Sequence, residues 1–292
     1  MILSAYRRFL RRRVHTAERT LMSDAFPLGG MPSFDDDPAQ NGAHFTESYA
    51  LIPAATMRDI TASLLPGWID TRCWILARPL SGFAETFAQY AVEVGPNGGS
   101  DTPEPNRNAE AVLFIADGIM ELIVAGQTHI LMAGGYAYIP PHTRWTLRNA
   151  GDGPLKFHWI RRQYVHAHGY DAPTPYITSD HDTPITWMSD AKDWGTSRFV
   201  DQTDLGHDMH VNIVTFTKGG RIPFAETHVM EHGLYVLQGT ARYLLNERWV
   251  DVGPGDFMWL RAFCPQACVA TSNEPFRYLL YKDVNRHPDL TV

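Results

Sequence analysis

The chain has 292 residues, of which 44% are hydrophobic and 20% charged, and it carries a formal net charge of −7. This composition is typical of a globular protein of one or two domains and excludes disorder as the dominant state. The acidic balance argues against nucleic-acid binding, and no apolar run approaches the roughly 18 residues of a membrane span. Three cysteines without a Cys-x-x-Cys pair exclude a disulfide scaffold. We therefore expect a cytoplasmic protein with no nucleic-acid or membrane partner.

The first 20 residues are basic, with six Arg against one acid, Glu18, a net charge of +5. No apolar stretch there is long enough for a secretory signal. An Arg-rich, acid-poor start is typical of a transit peptide or a membrane-surface helix, and also of a leader that adds nothing to the fold. We expect residues 1–44 to form a basic leader and loop with little order.

Short apolar runs begin near residue 45 and predict an all-β fold. Each run is rich in β-branched and aromatic residues and is bounded by turn residues, as expected of an antiparallel sandwich or barrel. Between two of the runs, Asp117-Gly118 predicts a hairpin turn, because Gly accepts a positive φ. The predicted strands include Cys73–Ala77, Ala111–Ile115, Met120–Val124, Tyr136–Ile139 and Phe157–Ile160.

The pattern of strands and turns occurs twice. Leu113–Gly118 aligns with Leu234–Gly239 at an offset of 121 residues, and Gly134–Ile139 aligns with Pro254–Trp259 at an offset of 120, as if one residue were lost between the hairpins. The predicted units are an N-terminal barrel over 45–164, a Pro-rich linker over 165–194 and a C-terminal barrel over 195–292. A duplicated, Gly-punctuated barrel of this size resembles a bicupin, that is, two tandem antiparallel β-barrels of the jelly-roll type.

The second copy carries the densest group of ligand-type residues. Glu226 and His228 are two residues apart, so a strand would place both side chains on one face, and His232 follows at the start of the next run. Two imidazoles and a carboxylate inside a barrel predict a divalent metal site. The alternative is a hydrogen-bonded polar cluster without metal.

The duplication provides an internal control for this metal site. At an offset of 121, the three residues correspond to Pro105, Arg107 and Ala111, none of which is a carboxylate or an imidazole. The first barrel is therefore expected to lack metal, which predicts one ion per chain. Cupins usually carry a fourth ligand, His, after the Gly turn, and here Gln266 occupies that place. A Glu/His/His/Gln set favours Mn²⁺ or another hard-to-borderline cation.

The C-terminal sequence resembles the (S)-ureidoglycine aminohydrolases, a manganese bicupin family of purine and allantoin degradation. The resemblance covers nearly the whole chain after about residue 45 and is strongest in 226–233, Trp249-Val250, Pro265-Gln266 and 278–286. It implies that Mn²⁺ is held by four residues of the C-terminal barrel, Glu226, His228, His232 and Gln266.

The same resemblance implies the reaction and the substrate contacts. The expected reaction is hydrolysis of (S)-ureidoglycine to (S)-ureidoglycolate and ammonia by a homo-oligomeric enzyme whose partner is a small ureido amino acid. The residues expected to contact the substrate are Glu226, Tyr243, Tyr278 and Lys282. Lys282 is the expected catalytic proton carrier, because a Lys near a cation in a dry barrel has a lowered pKa.

Two other functions are compatible with the residues taken alone. One is an Fe²⁺ cupin dioxygenase, and the other is a non-catalytic bicupin that binds a small molecule. The remaining histidines of note are interpreted as structural or surface residues: His166 and His168 in the linker, and His207 and His210 before a strand.

Overall fold

The computed structural model describes residues 42–56, 65–284 and 286, so most of the predicted basic leader lies outside the described residues. Within these ranges one short 3-10 helix, Pro79–Ser81, accompanies twenty strands, and no described helix is long and apolar enough to cross a bilayer. The strands are β1 His44–Phe45, β2 Tyr49–Ile52, β3 Trp68–Ala77, β4 Ala88–Ser100, β5 Ala109–Asp117, β6 Ile119–Val124, β7 Gln127–Met132, β8 Gly135–Ile139, β9 Trp145–Asn149, β10 Leu155–Gln163, β11 Tyr176–Ser179, β12 Ile185–Trp187, β13 Trp194–Arg198, β14 Met209–Phe216, β15 His232–Gln238, β16 Ala241–Leu245, β17 Arg248–Val252, β18 Phe257–Leu260, β19 Gln266–Ala270 and β20 Phe276–Asp283.

These strands build two antiparallel barrels, which confirms the predicted all-β bicupin fold. The N-terminal barrel is a nine-stranded sheet in the order β11-β8-β5-β10-β4-β9-β6-β7, with β3 paired to β4. The C-terminal barrel combines an eight-stranded sheet, β1-β2-β18-β15-β20-β14-β13-β12, with a three-stranded sheet, β17-β16-β19. The predicted hairpin turn joins β5 to β6, and Gly118 adopts a φ of 85° there.

Strand pairing shows the duplication more regularly than the sequence does. Leu113 pairs with Ala137 in the first barrel, and Leu234 pairs with Met258 in the second, so both partners lie 121 positions later. The one-residue loss inferred between the two hairpins is therefore wrong for this ladder. The offset of 120 came from aligning the Gly turns of the two copies. The pairing register of the strands is set instead by their backbone hydrogen bonds, and it gives 121.

Segments near the predicted boundaries pair across the two halves. Tyr49–Ile52, which the sequence places in the N-terminal unit, is hydrogen-bonded to Phe257–Leu260 of the C-terminal barrel. Tyr176–Ser179 of the predicted linker adds to the N-terminal barrel through β8. The predicted limits of the units stay predictions, but backbone hydrogen bonds tie the C-terminal barrel to a segment of the N-terminal unit and the N-terminal barrel to a segment of the linker.

Buried apolar residues form three clusters, one inside each barrel and one between the barrels. Side chains alternate along β20 and so contribute to two of these clusters. Tyr278 faces the interior of the C-terminal barrel, whereas Leu279 and Tyr281 face the interface between the barrels. The interface packs closely enough to require Gly233, where a Cβ would lie 2.5 Å from Cζ of Phe87. The two barrels are therefore held together by a hydrophobic core of their own.

Candidate metal centre

The first two predicted ligands lie on an irregular segment that follows the edge of β19. Arg221 forms a bridge with Val269 and Glu226 forms one with Gln266, so the register shifts by two residues between the bridges. Pro223 lies between them and has no N–H to donate. The expectation that Glu226 and His228 share a regular strand is therefore wrong, because only Glu226 is paired.

The four predicted ligands are nevertheless neighbours pair by pair in the C-terminal barrel. Oε1 of Glu226 lies 3.3 Å from Nε2 of His228, and the rings of His228 and His232 are 5.0 Å apart between centroids. Glu226 and Gln266 exchange two backbone hydrogen bonds of 2.9 Å. In the described ranges, no group of three or more His, Cys, Asp or Glu side chains is arranged to hold a metal ion, so Glu226, His228 and His232 do not converge on one point in this geometry.

The chemistry of these donors fits a hard-to-borderline divalent cation. Burial, followed by the charges of His228 and Lys282, lowers the pKa of His232 to about 3, so its imidazole is neutral, the form that ligates metals. The hydroxyl of Tyr243 donates to Oε1 of Gln266 at 2.7 Å, which leaves that amide oxygen a second lone pair. One carboxylate, two imidazoles and an amide oxygen suit such an ion.

The two predicted tyrosines lie inside the C-terminal barrel. Tyr243 and Tyr278 are buried, and burial raises the pKa of both phenols, so both remain protonated hydrogen-bond donors. Tyr243 is engaged with Gln266, a contact that orients a candidate ligand, and its predicted contact with substrate stays a prediction.

Lys282 lies on β20 beside the candidate ligands. It pairs with His232 on β15 and with His210 on β14, and it shares the inward face of β20 with Tyr278. Burial and the charge of Arg198 lower the pKa of Lys282, against a smaller opposing effect of Asp283. The predicted proton carrier is therefore a desolvated amine next to the candidate metal ligands.

Sequence reasoning missed Glu231, which fixes the segment between His228 and His232. Its carboxylate accepts from Nε1 of Trp259 at 2.6 Å and from the backbone N of Glu85 at 2.6 Å. It also accepts from the backbone N of Thr86 at 2.9 Å and from the Thr86 hydroxyl at 2.5 Å. Three of these four donors belong to the N-terminal half. The only sequence signal was a carboxylate adjacent to a predicted ligand, on the opposite face of the strand.

Two fused antiparallel barrels, of which one carries the candidate metal ligands, define a bicupin with a single candidate centre in the described residues. The family model described as "Cupin domain" matches residues 90–161 and 212–281, one match in each barrel.

Comparison with known proteins narrows this class. An Escherichia coli (strain K12) protein named (S)-ureidoglycine aminohydrolase is 30% identical over 234 residues, which cover 79% of this chain and 87% of the relative. The Arabidopsis thaliana protein of the same name is 27% identical over 254 residues, covering 87% and 81%. A solved structure from Pseudomonas aeruginosa, described as a glyoxylate-induced protein, is 55% identical with a TM-score of 0.82, covering 91% of this chain and 98% of the other. The chain belongs to the (S)-ureidoglycine aminohydrolase family, and the predicted resemblance is confirmed.

Proposed function

We propose that this protein hydrolyses (S)-ureidoglycine to (S)-ureidoglycolate and ammonia. The observation that carries the proposal is that Lys282, a half-buried amine with a lowered pKa, is the direct cross-strand partner of the candidate ligand His232. The support from comparison is that relatives covering most of the chain are named for this reaction.

One Mn²⁺ per chain is proposed at Glu226, His228, His232 and Gln266. When bound, the ion supplies a positive centre that orients the substrate and stabilises developing negative charge. The support is the donor chemistry, with a neutral His232 and an amide oxygen of Gln266 that keeps a free lone pair.

Lys282 is proposed to move the proton that ammonia release requires. Its ammonium gives a proton from Nζ to the leaving amino nitrogen, and the C–N bond breaks as the neighbouring ureido nitrogen donates its electron pair. Water then adds to the same carbon, and its surplus proton returns to Nζ, so the enzyme is restored. A lowered pKa suits this exchange because it makes the ammonium of Lys282 a stronger acid.

The buried phenols and Glu226 complete the proposed substrate site. Tyr278 would donate a hydrogen bond to an oxygen of the substrate, since burial keeps its hydroxyl protonated. Tyr243 would act there too, and it already orients Gln266.

We also propose that the enzyme is cytoplasmic and forms a homo-oligomer. The three cysteines are buried free thiols, which fits a reducing compartment. Size-exclusion chromatography with light scattering measures the assembly directly, and an elution mass of about one chain would contradict it.

The decisive experiment is metal-dependent turnover of freshly generated (S)-ureidoglycine. The protein is stripped of metal and reloaded with Mn²⁺, and ammonia and chiral ureidoglycolate are followed together because the substrate also decays spontaneously. Formation of the single (S) enantiomer only in the reloaded protein is the expected result. Protein that holds metal but does not accelerate the reaction would contradict the proposal, and oxygen uptake would point instead to the dioxygenase alternative.

A further inference from the structure

The inward face of β14 carries two buried polar residues that the proposed mechanism leaves unused. His210 is 3% exposed and Asn212 is 1% exposed. Val214 and Phe216, farther along the same strand, belong to the core of the C-terminal barrel. Because side chains alternate along a strand, all four residues lie on the same inward face.

The polar atoms of these two residues lack partners. Both ring nitrogens of His210 and Oδ1 of Asn212 are buried without a hydrogen bond in the described structure. Buried polar groups are rarely left in this condition, since an unmade hydrogen bond costs free energy. Three unpaired atoms on one inward face are therefore suited to a polar ligand inside the barrel.

The two residues lie next to the proposed reaction site. His210 is the direct cross-strand partner of Lys282, which is in turn the partner of His232. Asn212 pairs with Arg198 on β13, whose charge acts on both His210 and Lys282. His210 thus lies two strands from the candidate ligand His232, with Lys282 on the strand between them.

The chemistry of these atoms favours a neutral amide-like group. Burial, reinforced by the charges of Lys282 and His207, lowers the pKa of His210 to about 3, so its ring is neutral and presents one N–H donor and one acceptor nitrogen. Asn212 adds an acceptor oxygen. A ureido group has several N–H donors and one carbonyl acceptor, and it carries no charge, so it matches this set, whereas a carboxylate offers only acceptors.

We propose that His210 and Asn212 bind the ureido group of the substrate and so distinguish it from other small amino acids. This inference rests on the proposed function, because it names the part of that substrate each residue recognises.

The equivalent position in the N-terminal barrel has no such residue. There Arg161 takes the place of Lys282, and its partner, in the place of His210, is Ala88, which has no polar side-chain atom.

Two competitive ligands that differ in one group test the inference. N-carbamoylglycine carries the ureido group and the carboxylate, whereas N-acetylglycine replaces the terminal NH₂ with a methyl of similar size. Dissociation constants for both ligands are measured by isothermal titration calorimetry with the Mn²⁺-loaded protein, a measurement that does not require turnover. We expect wild type to prefer N-carbamoylglycine by about tenfold, because only it pairs the buried acceptors.

The variants His210→Phe and Asn212→Leu keep the shape of each side chain and remove its polar atoms. Both should lose most of the preference while N-acetylglycine still binds. The matched control is Arg198→Met, which should weaken both anionic ligands alike and keep the ratio. Since each protein is judged by the ratio of its two dissociation constants, a partial loss of folded or metal-loaded protein cancels, and either variant tests the pocket if the other does not fold.

The outcomes separate this inference from the proposed function. Enzyme that turns over (S)-ureidoglycine without preferring N-carbamoylglycine, or variants that keep the full preference, would overturn the ureido pocket and leave the reaction intact. Wild type that shows the preference but no turnover would support the pocket and overturn the proposed reaction.

Discussion

The two barrels share one ladder and differ in the residues placed on it. In the N-terminal barrel Arg161 of β10 pairs with Ala111 of β5, and in the C-terminal barrel Lys282 of β20 pairs with His232 of β15. Each residue of the second pair lies 121 positions after its counterpart in the first. The barrel fold therefore forms with or without a candidate ligand at this position, which supports a chemical role for His232.

The cation at this shared position has a different environment in each barrel. Nη2 of Arg161 lies 2.5 Å from Oε1 of Glu104, and its guanidinium lies 5.2 Å from the centre of the Trp159 ring. Lys282 has no ion pair within the described part of the chain, and its strongest electrostatic neighbour is another cation, Arg198. The comparison indicates that one barrel neutralises its cation internally, whereas the other keeps it available to a substrate.

Removing His232 is expected to have the largest effect. His232→Ala deletes one of two imidazoles in the donor set, so bound Mn²⁺ should fall from about one per chain to near zero, and ammonia release should fall with it. Elemental analysis of the purified variant measures the metal. The matched control is Ala111→His, which should keep about one Mn²⁺ per chain and gain no second ion, because Pro105 and Arg107 cannot complete a site. Metal bound at full stoichiometry by His232→Ala would remove this residue from the ligand set.

Substituting the two equivalent cations should separate catalysis from stability. Lys282→Met should lower kcat by about 10²–10⁴-fold with metal content unchanged, because the proton donor is lost. Arg161→Met should leave kcat within a few-fold and lower the unfolding temperature, because Glu104 loses its partner. Steady-state kinetics and thermal unfolding of both variants provide the measurements. Equal losses of kcat in the two variants would contradict the assignment of a catalytic role to Lys282 and a structural role to Arg161.

Glu231 allows a test of how the N-terminal half supports the metal site. Glu231→Gln removes one carboxylate oxygen from a group that now accepts four hydrogen bonds, so the segment between His228 and His232 should loosen. We expect Mn²⁺ affinity to weaken by about 10–100-fold, with activity restored by excess Mn²⁺. Metal titration followed by activity measures the change, and the exposed Glu247→Gln is the control. An unaltered affinity would mean that Glu231 serves only the interface.

Part of this arrangement could be predicted from sequence and part could not. The short apolar runs and the repeat near 121 residues were sufficient for two barrels, because alternation and turn chemistry are local properties. The candidate ligand set could be proposed for the same reason, since four ligand-type residues lie within one repeat, and it stays a prediction. Two features could not be predicted from sequence: the irregular pairing around Pro223 and the pairing of Tyr49–Ile52 with the C-terminal barrel. Both depend on hydrogen bonds between distant segments.

The position of Glu231 within the duplication also became visible only in the structure. Its equivalent in the first barrel, 121 residues earlier, is Glu110. Glu231 accepts a hydrogen bond from Trp259, and Glu110 accepts one at 2.7 Å from the hydroxyl of Tyr138, which lies 121 residues before Trp259. Each barrel thus directs one glutamate toward the interface. The two differ in their partners, since Oε1 of Glu110 is buried without a hydrogen bond.

This difference predicts an effect on stability and none on activity, a pH dependence carried by Glu110. Burial raises its pKa from 4.5 to about 8, against the opposing hydrogen bond from Tyr138. A raised carboxyl pKa gives a contribution to stability that is fully present below about pH 4.5 and is lost as the pH rises through about 8. Between these values the unfolded state releases a proton that the folded state keeps, so the free energy of unfolding should decrease with pH.

Glu110→Gln keeps the shape of the side chain and cannot ionise, so it should abolish this slope. Relative to the value at pH 5, the variant should gain roughly 3 kcal/mol over wild type by pH 7–8. Urea unfolding at several pH values measures the difference, with kcat expected to stay unchanged because Glu110 lies outside the candidate metal centre. Parallel stability curves for the two proteins would show that Glu110 ionises in the folded state as readily as in the unfolded chain, and the two interface glutamates would then differ in hydrogen bonding but not in charge.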